Sequence, residues 1–126
     1  MLTLDLSFYT LEGPVPVNIS PSLVRLRLGS NSLDEQMPIA GFSTLKKLTY
    51  LELDNNKLTG FVPSELGLCK SLALLNLAQN HLTGTVPPQL GNLSHLQVLK
   101  LQINDLFGEI PTQITQLQKL SILNIS

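Results

Sequence analysis

The chain has 126 residues and a formal net charge of −1, and only 13% of its side chains are charged, against about 25% in an average soluble domain. That length suffices for one continuous core, the charge leaves no basic face for nucleic acid, and no apolar run approaches the ~18 residues of a membrane span. A repeat organises everything else. Leu51 to Pro63 returns as Leu75 to Pro87 and as Leu99 to Pro111, with a looser copy from Leu26 to Pro38. The shared pattern is LxLxxNxLxGxxP, followed by an apolar residue (Leu66, Leu90, Ile114) and a leucine at each boundary (Leu72, Leu96, Leu120). Self-similarity at this period predicts a solenoid in which each unit buries its apolar face against its neighbours. The expected organisation is one solenoid over 1–126 with about five repeats, at 1–22, 23–47, 48–71, 72–95 and 96–119, then a partial unit at 120–126. Both ends are expected to fall inside a coil and to be uncapped, which would expose core leucines.

In chain order, Met1 to Leu6 lacks the basic start and continuous apolar stretch of a secretory leader and instead places Leu4 and Leu6 in the LxL positions. Tyr9 occupies the Asn position of that first coil and is too large to replace it, so the coil is expected to be distorted. The second coil has Glu35 where Gly is expected and one extra residue between Gly41 and Leu48. The next three coils keep the pattern. Each opens with a short strand: in Leu72 to Leu77, the alternation points Leu72, Leu75 and Leu77 inward. Asn31, Asn56, Asn80 and Asn104 follow at intervals of 25, 24 and 24 residues. A buried amide at a recurring register must have its hydrogen bonds met, which predicts an asparagine ladder between coils. Gly60, Gly84 and Gly108 permit a backbone bend closed to residues with a Cβ; Pro63, Pro87 and Pro111 then end any strand. The remaining arc, such as Gln89 to His95, is expected to be short helical or 3₁₀ on the convex side. Cys69 falls in the apolar register of Leu45, Leu93 and Leu117 and reads as a buried thiol, with no partner for a disulfide and no metal-ligand spacing around it.

Stacked strands would align the outward residues in columns about 4.8 Å apart. One column reads Thr3, Arg25, Tyr50, Leu74, Val98, Ile122, and the next Asp5, Arg27, Glu52, Asn76, Lys100, Asn124. A third holds Ser7, Gly29, Asp54, Ala78, Gln102 and Ser126, and a fourth Phe8, Ser30, Asn55, Gln79 and Ile103. The candidate partner-binding residues are Arg25, Arg27, Tyr50, Glu52, Asp54, Leu74, Asn76, Val98, Lys100, Ile103 and Ile122. Asp5, Arg27 and Glu52 alternate in sign, and cross-strand pairs of this kind contribute about 0.2–1 kcal/mol each; they read first as mutual neutralisation. Leu74, Val98 and Ile122, with Ile103 nearby, form an aliphatic stripe that is either an interaction site or apolar surface screened by its neighbours. Asn18, Asn92 and Asn124 begin N-glycosylation sequons, relevant to a secreted chain. His81 and His95 lack partner acids or a nucleophile at motif spacing, no glycine loop cradles phosphate, and no cofactor or enzymatic activity is expected.

The pattern LxxLxLxxNxLxGxxPxxLGxL, quoted from Leu72 to Leu93 and Leu96 to Leu117, resembles the plant-type leucine-rich repeat. The resemblance implies an α/β-type, right-handed superhelix with a concave parallel β-sheet, a second short strand near Gly-x-x-Pro, and short convex 3₁₀ or helical segments. The family includes ectodomains of plant receptor-like kinases and receptor-like proteins, and secreted inhibitors of cell-wall-degrading enzymes. It implies a non-enzymatic recognition scaffold that binds a peptide, small ligand or protein partner, a partner ectodomain included, on its concave face, extracellular or at the cell surface as part of a longer protein. A soluble enzyme inhibitor and a truncated repeat product without independent function are the alternatives.

Overall fold

A computed structural model describes residues 2–16 and 18–126; the expectation that Met1 opens the first coil lies outside them. The strands in chain order are β1 (Thr3–Asp5), β2 (Glu12–Gly13), β3 (Arg25–Arg27), β4 (Ser32–Leu33), β5 (Tyr50–Glu52), β6 (Leu74–Asn76), β7 (Thr83–Gly84), β8 (Val98–Lys100), β9 (Asp105–Leu106) and β10 (Ile122–Asn124). Six of them form one parallel sheet in the order β1-β3-β5-β6-β8-β10. Residues two apart share a face of a strand. The central leucines Leu26, Leu51, Leu75 and Leu99 therefore point into the core, where each is at most 1% exposed, and their neighbours face out. The strands are shorter than the six-residue run from Leu72 to Leu77, but pairing outlasts them: the Leu77 N–H donates to Lys100 and the Gln79 N–H to Gln102, both at 2.9 Å.

What ends each strand is a residue in the left-handed region. Phe8, Ser30, Asn55, Gln79 and Ile103 have φ of 65°, 55°, 54°, 56° and 59°. None is glycine, and a β-branched side chain such as Ile103 is strongly disfavoured there. The conformation is imposed by the neighbouring coil, since the Asn55 N–H must meet Ala78 O at 2.9 Å. It turns the following asparagine inward. Asn56 Nδ2 donates to Leu53 and Asp54 of its own coil and to Leu28 of the preceding one, at 3.0–3.1 Å, while its Oδ1 accepts the Leu33 N–H at 3.0 Å. Asn80 repeats the set on Leu53, Leu77, Ala78 and Leu58, and Asn31 and Asn104 do the same one coil out. In the first coil Tyr9 swings outward, 65% exposed, and Asn31 Oδ1 accepts both the Tyr9 and Leu11 N–H groups at 3.0 Å.

Short pairings follow the ladder, β2 with β4 and β7 with β9, near the Gly-x-x-Pro segment. Their register is slanted: Phe61 bridges Thr83, two residues before its repeat equivalent Thr85. As a result each coil lays a side chain over the next coil's glycine. A Cβ on Gly84 would meet the Phe61 ring at 2.5 Å, and one on Gly60 would meet Gln36 Cγ at 2.7 Å. These glycines are thus required for close approach as well as for their φ of +81° and +78°. Glu35 stands at this position in the second coil and is held at φ 63°, which costs a residue with a Cβ about 1–2 kcal/mol.

The convex arcs are 3₁₀ at Phe42–Thr44, Ser64–Leu68 and Pro88–Asn92, and a single α-helical turn at Thr112–Thr115. Pro63 and Pro87 precede their helices in extended backbone, where the fixed φ fits and no N–H is lost to the helix. Adjacent arcs pack so closely that a Cβ on Gly91 would sit 2.7 Å from Gln113 O. Leu45, Cys69 and Leu93 are fully buried beneath them.

Removing one ladder amide strands several buried backbone groups, at about 1–3 kcal/mol for each left unmet. Asn80→Ala is expected to lose about 3 kcal/mol in urea unfolding, and Asn80→Asp to fare no better, because a carboxylate cannot donate to the Leu53, Leu77 and Ala78 carbonyls. A loss below about 1 kcal/mol would mean that water replaces the amide.

Candidate functional site

The sheet register brings the outward residues into line across six strands. Thr3, Arg25, Tyr50, Leu74, Val98 and Ile122 are successive partners, as are Asp5, Arg27, Glu52, Asn76, Lys100 and Asn124. At one end Arg27 bridges two carboxylates, with Nη1 3.2 Å from Asp5 and Nε 2.5 Å from Glu52. Beside it the Arg25 guanidinium lies 4.2 Å from the Tyr50 ring centroid, a cation–π arrangement that presses Nε into a buried position without a hydrogen-bond partner. Leu74 and Val98 are half-buried, whereas Ile122 and Ile103 are 47% and 60% exposed. The face therefore grades from charged to aliphatic along the stacking direction. Asn76 is partly committed to local structure, since its Oδ1 accepts the Ala78 N–H at 3.1 Å.

A hollow of about 140 Å³ opens among Ser7, Phe8, Arg27, Glu52 and Asp54. It exists because Gly29 has no side chain; a Cβ there would come within 2.6 Å of Asp54 Oδ1. Burial pushes the Asp54 carboxyl above the usual carboxylate range and Glu52 adds to the push, while its own backbone N–H, Lys100 and Arg27 oppose it. Asp5 moves the other way, held down first by its hydrogen bonds from Ser7.

Cys69 is fully buried, and its thiol donates to Phe42 O at 3.3 Å. Burial pushes its pKa up to about 11, against a small opposing effect of Lys46. A thiol held protonated in the core is neither a nucleophile nor a ligand.

A second concavity was not legible in the repeat. Ile39, Phe61, Pro87, Pro88, Phe107 and Glu65 line a groove of about 560 Å³ on the flank of the solenoid, beside the Gly-x-x-Pro segments. Its one sequence signal is substitution within the repeat, because Phe61 and Phe107 stand where other coils carry Thr85 and Thr83.

Residues 21–82 match the leucine-rich repeat family. Among solved structures, a complex of BIR3 and SERK2 from Arabidopsis thaliana has a chain 34% identical over 96% of this one, with a TM-score of 0.84. The plant peptide hormone receptor RGFR1, solved with RGF2, is 40% identical over 91% of the chain with a TM-score of 0.86. A plant ice-binding protein is 38% identical over 85%, with a TM-score of 0.78. Among curated proteins no sequence matches. The chain belongs to the leucine-rich repeat proteins, and its repeat is the plant type found in receptor-kinase ectodomains. It spans 66%, 19% and 35% of these three structures' own chains. Among the described residues, no helix is long and apolar enough to cross a membrane.

A carboxylate with a raised folded pKa opposes folding while both states are ionised. The native state takes up its proton first, so that opposition fades as pH falls through the folded value. Asp54→Asn is expected to raise the urea midpoint at about pH 7 and to have no effect near pH 3. Lower stability at neutral pH would show that the charge serves Lys100 or Arg27 more than burial opposes it. The Cys69 thiol should resist iodoacetamide in native buffer and react once urea unfolds the chain; rapid native alkylation would contradict its burial.

Proposed function

We propose that this chain is a non-enzymatic recognition scaffold, part of a receptor-like ectodomain at the cell surface or outside it, that binds a peptide or partner ectodomain on its concave sheet. The observation that carries this reading is the sheet itself: a fixed leucine and asparagine frame presents two aligned columns whose outward residues differ from coil to coil. Binding energy on such a surface concentrates in aromatic, arginine and apolar anchors. Arg25, Tyr50, Leu74, Val98, Ile103 and Ile122 fill those roles, with Arg27, Glu52, Asp54, Asn76 and Lys100 setting charge complementarity. The receptor RGFR1 is solved with a peptide hormone and BIR3 with SERK2, which supports both kinds of occupant. Asn92 and Asn18 are exposed away from the sheet and suit glycosylation, whereas Asn124 lies on β10, where a glycan would cover the face.

The likeness to a plant ice-binding protein supports a second reading, adsorption to ice. Thermal hysteresis of the purified chain separates the two. For the first reading, an array of synthetic peptides is probed with the native chain and with Val98→Lys. Retained folding with loss of peptide binding is the expected result; identical peptide profiles would remove the aliphatic stripe from the site.

A further inference from the structure

The charges of this chain are sorted by side. On the concave sheet Asp5, Glu52 and Asp54 balance Arg25, Arg27 and Lys100. The flank that carries the short strands and the Gly-x-x-Pro segments holds Glu12, Asp34, Glu35, Glu65, Asp105 and Glu109, with Lys57 and His81 as its basic side chains. The opposite edge, where each convex arc returns to the sheet, holds Lys46, Lys47, Lys70 and Lys119 and no acid. A near-zero net charge thus conceals an acidic flank.

The 560 Å³ groove lies within that flank. It is lined by Ile39, Phe61 and Phe107, which are 64%, 71% and 66% exposed, by the prolines Pro87 and Pro88, and by Glu65 as its ionisable group. The volume falls within the range of about 300–1,000 Å³ typical of ligand sites, as does the mixture of apolar walls and few polar groups. From Ile39 in the coil of Asn31 to Phe107 in the coil of Asn104 the groove crosses three coil spacings, roughly 14 Å at about 4.8 Å each. An extended segment of about four residues covers that span.

We infer that this flank groove is a second docking site, separate from the concave sheet, for an extended partner segment that alternates apolar anchors with lysine or arginine. Aromatic rings and prolines receive the apolar side chains, and Glu65 in the groove, with the other carboxylates of the same flank, receives the cations. A second copy of the chain is a poorer fit. Among the described residues its lysine edge offers only Leu68 and, beside β1, Leu2 as exposed large hydrophobics, and such a pairing of unlike surfaces would not close into a dimer.

Three substitutions borrow the residues that neighbouring coils already carry, and so leave the fold intact: Phe61→Thr after Thr85, Phe107→Thr after Thr83, and Glu65→Gln after Gln89. Isothermal titration of the whole chain uses blocked Lys-Phe-Lys-Leu-Lys as probe, with the same peptide bearing Glu for Lys as control. Saturable binding of the lysine peptide alone is expected, weakening as salt rises from about 0.05 to 0.5 M. Each phenylalanine replacement should cost roughly tenfold in affinity and the glutamine less, with Val98→Lys on the concave face neutral. Equal binding by all four variants, or binding lost only in Val98→Lys, would overturn the assignment. So would sedimentation showing self-association that Phe61→Thr abolishes, because the occupant would then be a second copy.

Discussion

Every other feature of this molecule depends on how the ladder asparagines satisfy backbone groups in two coils at once. A coil of about 24 residues has too little apolar surface to fold alone, and its turns would leave N–H and C=O groups facing a leucine core. One amide closes three carbonyls and one N–H while itself only 6% exposed. Because the donors and acceptors belong to adjacent coils, the same bonds that finish one turn also set the spacing to the next. The outward columns inherit that spacing, which is why a surface of short, irregular strands stays in register over six of them.

The close approach has consequences away from the ladder. On the flank the slanted register lays Phe61 across Gly84, and on the convex side the Gly91 backbone faces Gln113 O. In both places the glycine is demanded by the neighbouring coil's atoms. Glu35 shows what happens when the glycine is missing: the backbone adopts the same conformation under strain. The left-handed residues at the strand ends carry a similar cost, and the N–H groups of Phe8, Ser30, Asn55 and Gln79 each meet a carbonyl of the next coil in that conformation.

The three sides of the solenoid offer different chemistry. The concave sheet is charge-balanced, with an ion-paired end around Arg27 and an aliphatic end around Val98, and is suited to specificity through shape and local charge. The acidic flank joins exposed aromatic rings to carboxylates, while the lysine edge is nearly devoid of anchors.

The sequence by itself determined the period, the core leucines, the asparagine ladder, the buried Cys69 and the composition of each outward column. All of these follow from a repeat whose side-chain alternation and polar satisfaction admit one arrangement. It also identified Tyr9 and Glu35 as misfits, since a ring cannot replace an amide and a Cβ opposes a left-handed turn. Only the tertiary structure decided where the coils touch. The left-handed Phe8, Ser30, Asn55, Gln79 and Ile103 are unreadable from residue type, because in the first four the bond to the neighbouring coil imposes the conformation. The flank groove and the segregation of charge around it are equally hidden. Phe61 and Phe107 are 46 positions apart in the chain, and only the slanted stacking of successive coils places their rings around one hollow.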